Sequence, residues 1–156
     1  HRLDYETSGV MLIAKSLKSY KLLQAQFTAR TIKKNYVAIL QNPITHNNGK
    51  VCLPLRADII NRPRQLVCFE YGKQAATEYQ VLKTDENEVR VEFRPITGRT
   101  HQLRVHAAHK LGLNNPIKGD SLYGKRGERL FLHAKKIVFQ HPISGKKTTV
   151  VSPVPF

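Results

Sequence analysis

Acidic residues are scarce in this chain of 156 residues, and residues 7–57 contain none. Against 11 Asp and Glu stand 26 Lys and Arg, so the net charge is +15. Because 40% of the residues are apolar, the composition excludes a charge-rich disordered protein and predicts one folded domain over residues 1–156. A domain this basic favours a polyanionic partner such as nucleic acid or an anionic membrane surface. The alternative is a cationic surface that serves solubility alone.

Cysteines and long apolar runs are also scarce. Cys52 and Cys68 are the only thiols, which fits a reducing cytoplasm better than a disulfide framework. No apolar run approaches the roughly 20 residues of a membrane span, and the first residues do not resemble a signal peptide. Phosphate-binding loops, dinucleotide fingerprints and nucleophile elbows are missing as well. We therefore expect a soluble cytoplasmic protein that works without a cofactor.

The positive charge lies in two blocks. Residues 58–92 are close to balance, with 5 basic and 7 acidic residues, whereas residues 93–156 hold twelve Lys and Arg but only Asp120 and Glu128 as acids. Two basic blocks around a balanced one are expected if the first and last thirds of the chain converge on a phosphate-bearing ligand.

Hydrophobic periodicity predicts an α+β fold with more strands than helices. A helix is expected from the N-cap Ser16 to about residue 30, and a second over Thr100–Leu111, ended by Gly112. The buried positions expected on the two helices are Leu17, Tyr20, Leu23 (or Gln24) and Phe27, then Leu103, His106, Ala107 and Leu111. Strands are expected at Gly9–Lys15, Asn35–Gln41, Val51–Leu55, Gln65–Glu70, Ala76–Lys83, Glu88–Pro95, 130–139 and 147–151. The polar segment Thr84–Asn87 predicts a hairpin turn between two of these strands.

Asp4 is the first candidate for chemistry, because it follows Arg2 and precedes a Ser-Gly turn into an apolar segment. A carboxylate beside an arginine stays ionised, which suits a nucleophile or a base. The alternative is an aspartate that braces the turn.

Two basic motifs are further candidates. Gly98 separates a strand from a helix, a junction where backbone N–H groups together with Arg99 and Arg104 suit a phosphate or a carboxylate. Lys33 and Lys34 precede Tyr36 at a strand start, where the tyrosine either stacks on a base or packs at a sheet edge.

A metal site built from histidines was also considered for the second half of the chain, where His106 and His109 lie one helical turn apart. We expect no metal there, since neither cysteines nor paired carboxylates occur at suitable spacing. The histidines concerned are His101, His106, His109 and His133.

Taken together and in this order, four segments resemble the RluA-type pseudouridine synthases. They are HRLDYETSG, KKNYVAIL, PITGRTHQLRVHAA and LFLHAKKIVFQHP. A fifth stretch, LPLRADIINRPRQLVC with GKQAATEYQV, resembles the branch that modifies both 23S rRNA and a tRNA anticodon stem-loop. The resemblance implies a mostly antiparallel mixed sheet with a basic RNA-binding cleft, isomerase activity on RNA uridines, no metal or organic cofactor, and, we expect, a monomer.

The resemblance also implies roles for particular residues. Asp4 would be the catalytic aspartate, Tyr36 the tyrosine that stacks on the target uracil and helps remove the C5 proton, and Arg104 the ion-pair partner of Asp4. Arg2 would enter the RNA where the uridine has flipped out, and Leu132 would form part of the uracil pocket. The basic residues of the same motifs complete the candidate RNA contacts, namely Lys33, Lys34, Arg99 and His101.

Family catalytic domains begin well before the HRLD motif, so the resemblance implies a domain that lacks its N-terminal part. Three other functions were weighed: a non-catalytic RNA- or ribosome-binding module on the same fold, a related synthase with a single rRNA target, and a metal-dependent nuclease. Retention of Asp4, Tyr36 and Arg104 argues for catalysis, because a module that only binds RNA would be free to lose them.

Overall fold

The computed structural model describes residues 1–85 and 88–156, which form two helices and nine strands. Their bounds are β1 Ser8–Gly9, α1 Leu17–Thr28, β2 Lys33–Leu40, β3 Asn48–Cys52, β4 Leu55–Ala57, β5 Gln65–Val67, β6 Ala76–Thr84, β7 Val89–Pro95, α2 Gln102–Ala108, β8 Leu132–Gln140 and β9 Lys147–Val151. Within the described residues, no helix is long and apolar enough to cross a membrane.

Seven strands form one mixed sheet in the order β1-β8-β2-β7-β6-β3, with β9 also paired to β8. The β1–β8 pair is parallel, and the other pairs in this sheet are antiparallel. Strands β4 and β5 form a separate two-stranded sheet. The expected α+β fold with a mostly antiparallel sheet is confirmed.

The main core lies between the central strands and α2. The alternation expected in β7 is confirmed, because Val89, Val91 and Phe93 are almost completely buried. They pack with residues of β2, α2 and β8. A smaller core joins Leu23 of α1 to the far end of β8. Helix α2 therefore lies inside the molecule, and its polar side chains must find partners there.

Several expected boundaries are wrong. The segment Gly9–Lys15 is not a buried strand, since only Ser8 and Gly9 pair with β8; beyond them alternate side chains such as Ile13 are exposed. Ser16 caps α1 as expected, but Leu17 and Tyr20 are exposed, because the apolar face of this helix is narrower than its sequence pattern suggests.

Other corrections follow from local chemistry. Residues Val51–Leu55 are not one strand, because the chain leaves the main sheet after Cys52 and enters the small sheet at Leu55. The second helix is shorter than expected and leaves Leu111 exposed. The hairpin between β6 and β7 is confirmed, although half of its expected turn, Thr84–Asn87, lies outside the described residues.

Candidate active site

A cavity of about 470 Å³ opens where the first residues of the chain meet the start of β2 and the β7–α2 loop. The end of α1 closes another side. Of the candidate residues, six line this cavity: Arg2, Asp4, Lys34, Tyr36, Arg99 and Leu132. The sequence motifs from the two ends of the chain are therefore brought together around one space.

Asp4 reaches this cavity because the segment after it is fixed to β8. The carbonyl of Asp4 accepts a hydrogen bond from the Thr7 amide (2.9 Å), which closes a turn. Ser8 then pairs with His133 in the sheet, and the Ser8 hydroxyl lies 2.9 Å from the ring nitrogen Nδ1 of His133. The turn is therefore closed by the backbone of Asp4, and among the described residues no hydrogen bond from the turn to its carboxylate is found.

Tyr36 lies deep in the cavity wall, at a register shift in β2 between Asn35 and Tyr36. Burial, together with the negative charge of Asp4, raises the pKa of Tyr36 to about 12. Its hydroxyl is therefore protonated at neutral pH, and its ring offers a face to a planar ligand. The effect of Asp4 on this pKa shows that the two side chains share one electrostatic environment.

The expected ion pair between Asp4 and Arg104 is wrong. Arg104 instead donates from Nε to Asp120 (2.8 Å) and from Nη2 to the second Asp120 oxygen (2.6 Å), and both side chains are buried. Backbone amides of Leu122 and Tyr123 also donate to Asp120, which fixes its carboxylate opposite the guanidinium. A bidentate pair of this geometry is stronger than a contact with a partly exposed carboxylate.

Arg104 still lies near Asp4, although it does not line the cavity. Nη2 lies 3.5 Å from Glu6, and among the described residues no ion pair within 4 Å joins Arg104 to Asp4. Burial alone would lower the pKa of Arg104, but Asp120, Asp4 and Glu6 together raise it. The guanidinium therefore stays charged.

His101 also lies outside the cavity lining, beside this ion pair. Its backbone is in the left-handed region (φ 53°), and Nδ1 lies 2.8 Å from the hydroxyl of Tyr123. That hydroxyl also accepts a hydrogen bond from the Gln65 amide (2.6 Å), which ties His101 to the small sheet through Tyr123. Burial is the largest cause of the lowered pKa of His101.

Lysine and arginine candidates differ in their surroundings. Lys34 is half-buried, and this burial lowers its pKa. Arg99 donates from Nε to the Gln74 carbonyl (3.1 Å), which orients it along the cavity wall. Lys33 is exposed and does not line this cavity, whereas Arg2 is exposed and does line it.

Sequence reasoning missed two residues that hold the site together. One is Asp120. The sequence feature that could have indicated its importance is that it is one of only two acidic residues in the basic block 93–156. The other is Gln102, which accepts from Thr97 Oγ1 (2.7 Å) and the Arg99 amide (3.0 Å), and so fixes the loop before α2. Its amide nitrogen donates to the Ala76 carbonyl and Thr77 Oγ1.

The residues offer little to a metal. Both ring nitrogens of His106 are engaged, by Thr77 and by the Leu53 carbonyl. Among the described residues, no group of three or more His, Cys, Asp or Glu is placed to hold a metal ion.

Comparison with known proteins gives consistent matches. The model of the RNA pseudouridylate synthase family matches residues 1–109. The chain is 44% identical to the dual-specificity RNA pseudouridine synthase RluA of Haemophilus ducreyi, over 96% of this chain and 70% of that protein. It is 43% identical to the RluA of Escherichia coli K12, over 100% of this chain and 73% of that protein.

Solved structures agree with this match. Human RNA pseudouridylate synthase domain containing 1 superposes with a TM-score of 0.86 at 28% identity, over the whole of this chain and 68% of that one. The human domain containing 4 gives a TM-score of 0.82 at 28% identity, over 99% of this chain and 70% of that one.

Proposed function

This chain belongs to the RNA pseudouridylate synthase family and is an RNA pseudouridine synthase, an isomerase, and we propose that its reaction takes place in the cavity between Asp4 and Tyr36. The observation that carries this proposal is that both side chains line one cavity and that the charge of Asp4 raises the pKa of Tyr36. The family's chemistry needs a carboxylate and a surface for uracil at the same place.

The reaction detaches uracil from the ribose and joins it again through another atom. The N1–C1′ bond breaks, the base rotates, a C5–C1′ bond forms, and the proton lost from C5 is balanced by one gained at N1. Composition does not change, so the step needs no co-reactant. Asp4 acts at the sugar by one of two routes. In the first it attacks C1′, and the bond it forms breaks again when C5 attacks C1′. In the second it takes the C2′ proton, which gives a glycal-like intermediate, and returns that proton to C2′ when the C5–C1′ bond forms.

Arg104 acts on Asp4 at a distance. Its guanidinium is held by Asp120 and lies close enough to Asp4 for the two charges to attract each other, although no ion pair joins them among the described residues. Arg104 therefore does not occupy the Asp4 carboxylate, and its role is to position the site.

Tyr36 and Leu132 hold the uracil. The Tyr36 ring stacks on the base, and Leu132 contributes an apolar wall. Burial and the charge of Asp4 raise the pKa of Tyr36 to about 12, so its hydroxyl is neutral at pH 7. Tyr36 therefore positions the base by stacking, and its hydroxyl helps to remove the C5 proton only by passing its own proton on as it accepts that one.

The uridine must leave its stack in the RNA to reach this cavity, at a cost of a few kcal/mol. Arg2 is exposed at the cavity mouth, where it can take the place of the flipped nucleotide, while Lys33, Lys34, Arg99 and His101 contact the RNA around it. Arg2 is well placed for this because it precedes Asp4 by only two residues.

For substrates we propose both 23S rRNA and a tRNA anticodon stem-loop, because the bacterial relatives are named as dual-specificity enzymes. We also propose that the enzyme acts as a monomer in the cytoplasm, where its two free thiols would stay reduced.

The test is to incubate the purified chain with unmodified 23S rRNA and tRNA transcripts and to map pseudouridine by chemical derivatisation and primer extension. Pseudouridine at one rRNA loop and one anticodon-stem-loop position is expected. Modification of rRNA alone would indicate a single-target enzyme. RNA binding without any pseudouridine would overturn the proposed reaction.

A further inference from the structure

A second cavity, of about 330 Å³, adjoins the first at the end of the main sheet. Lys34 lines both cavities, and so do Ile32, Pro95 and Ile96. The volume lies at the lower end of the range for ligand pockets, roughly 300–1,000 Å³. A strand of RNA that enters the first cavity can therefore continue into the second around the Lys34 side chain.

The second cavity is basic and has an apolar wall. Cations lie on its rim, namely Arg30, Lys33, Lys34 and Arg94. Arg94 is already paired with Glu92 (2.6 Å) and bonded to Gln80 (3.1 Å), so the phosphate-binding charge comes mainly from the other three. Basic groups around an apolar wall are typical of sites for single-stranded RNA.

Asn35 is the residue that gives this cavity its specificity. Its side chain lines the cavity, although the residue is only 9% exposed. No hydrogen bond of its amide group to any other described residue is found, and the amide atoms are not among the fully buried, unpaired polar atoms, so they are open to the cavity. A register shift in β2 separates Asn35 from Tyr36, and the two residues line different cavities: Asn35 the second and Tyr36 the first. An unpaired donor and acceptor thus face a basic cavity next to the reaction site.

We propose that this second cavity binds the base of a nucleotide adjacent to the isomerised uridine, with the Asn35 amide hydrogen-bonded to the edge of that base. Arg30, Lys33 and Lys34 then contact the phosphates between the two nucleotides. The proposal rests on the proposed function, because it takes the first cavity as the place of the uridine.

The chemistry of the cavity favours a base with an exocyclic amino group. The Asn35 amide both donates and accepts, so it can bond an edge of any base and anchors the base in the cavity. Glu78, which also lines the cavity, only accepts, and an amino group suits it where the carbonyl groups of uracil do not. A base with an exocyclic amino group is therefore preferred over uracil at this neighbouring position.

The experiment uses a stem-loop RNA with one loop uridine, prepared with each of the possible bases on either side of that uridine. Binding of wild type, Asn35→Ala and Asn35→Asp is measured by fluorescence anisotropy, and pseudouridine formation is measured in the same samples. Wild type is expected to prefer an amino-bearing base on one side of the uridine by about 10-fold over uracil. Asn35→Ala, which removes the anchor of the base, is expected to reduce that preference to about 2-fold. Asn35→Asp offers acceptors alone and is expected to keep or increase it.

Asn48→Ala serves as the control, because it removes an exposed amide on β3 and should leave the base preference at its wild-type value. Lys33→Ala should weaken binding to every version alike and should make it less sensitive to salt. A thermal melt of each variant shows whether it is folded. If a folded Asn35→Ala variant keeps the full preference, or if wild type has none, the second cavity is not a base site.

The two proposals fail in different ways in this experiment. Absence of pseudouridine in wild-type samples, with a base preference that depends on Asn35, would reject the proposed reaction and leave the base site standing. Pseudouridine formation with no change of preference in Asn35→Ala would reject the base site alone.

Discussion

At the scale of single residues, the carboxylate proposed to be catalytic, that of Asp4, has a charged neighbour that it does not touch. Arg104 is buried and paired with Asp120, and its other neighbours are Glu6 and the ring of Tyr123 (5.4 Å). The resemblance to a family located Asp4, Tyr36 and Arg104 in the sequence. It could not supply Asp120 as the partner of Arg104, because that pairing depends on where the loop after Ile117 lies in space.

Replacing Asp120 tests this arrangement. Asp120→Ala leaves the buried Arg104 charge without its bidentate partner, and we expect a loss of about 3–5 kcal/mol of unfolding free energy. Glu6→Gln removes a longer and partly exposed contact, and should cost about 1 kcal/mol or less. Urea denaturation of the two variants measures both values. Equal losses would show that Asp120 is not the main partner of Arg104.

At the scale of elements, the short strand β1 controls the site although it has only two residues. Its parallel pairing with β8 fixes the chain just after Asp4. Sequence periodicity predicted a longer strand here because it detects only apolar character. The number of paired residues depends instead on how much of this edge of β8 is occupied by β9, which pairs with Lys136–Gln140. The position of helix α2 was predicted more accurately than that of β1, because Leu103 and Ala107 are apolar, lie four residues apart and are both buried on one face of the helix.

Gly9 is the position where this pairing is most sensitive. Its φ is +115°, and a Cβ there would press on the carbonyl oxygen of Ala134 and lie 2.6 Å from the Ala134 nitrogen. Gly9→Ala is therefore expected to cost about 3 kcal/mol and to lower isomerisation at least about 10-fold by displacing Asp4.

The matched control is Gly145→Ala, in the turn before β9. Gly145 also has a positive φ (+67°), but nothing lies within 4 Å of the Cβ that alanine would add. We expect a loss of about 1 kcal/mol and no change in isomerisation rate. An equal effect of the two substitutions on activity, measured by tritium release from labelled RNA, would contradict the role given to β1.

At the scale of the whole molecule, the net charge of +15 and the buried histidines act together on stability. The composition indicated a polyanion, and the fold adds that cations of both basic blocks surround one cavity. The sequence did not predict that burial of these histidines would affect stability. Their burial depends on long-range packing, as the bonds of His106 to Thr77 and to the Leu53 carbonyl illustrate.

Stability is expected to fall as the pH falls from 7 to 5. Burial is the largest cause that lowers the pKa of His101, His106, His109 and His133 below the ordinary value of 6.5. Below pH 6.5 the unfolded chain therefore binds more protons than the folded chain, so protonation favours unfolding. The urea midpoint should be lower at pH 5 than at pH 7, and His106→Gln should reduce the difference. A midpoint that rises at pH 5 would contradict this assignment.

The most direct test of the account is the rate of pseudouridine formation by Asp4→Asn. This variant keeps the shape of the side chain but removes its charge, and we expect the single-turnover rate to fall about 1,000-fold or more while RNA affinity stays within about 3-fold of wild type. Asp85→Asn, which changes an exposed acid paired with Lys83, is the control and should isomerise at the wild-type rate. A wild-type rate in Asp4→Asn would show that the cavity beside Asp4 is not where uridine reacts.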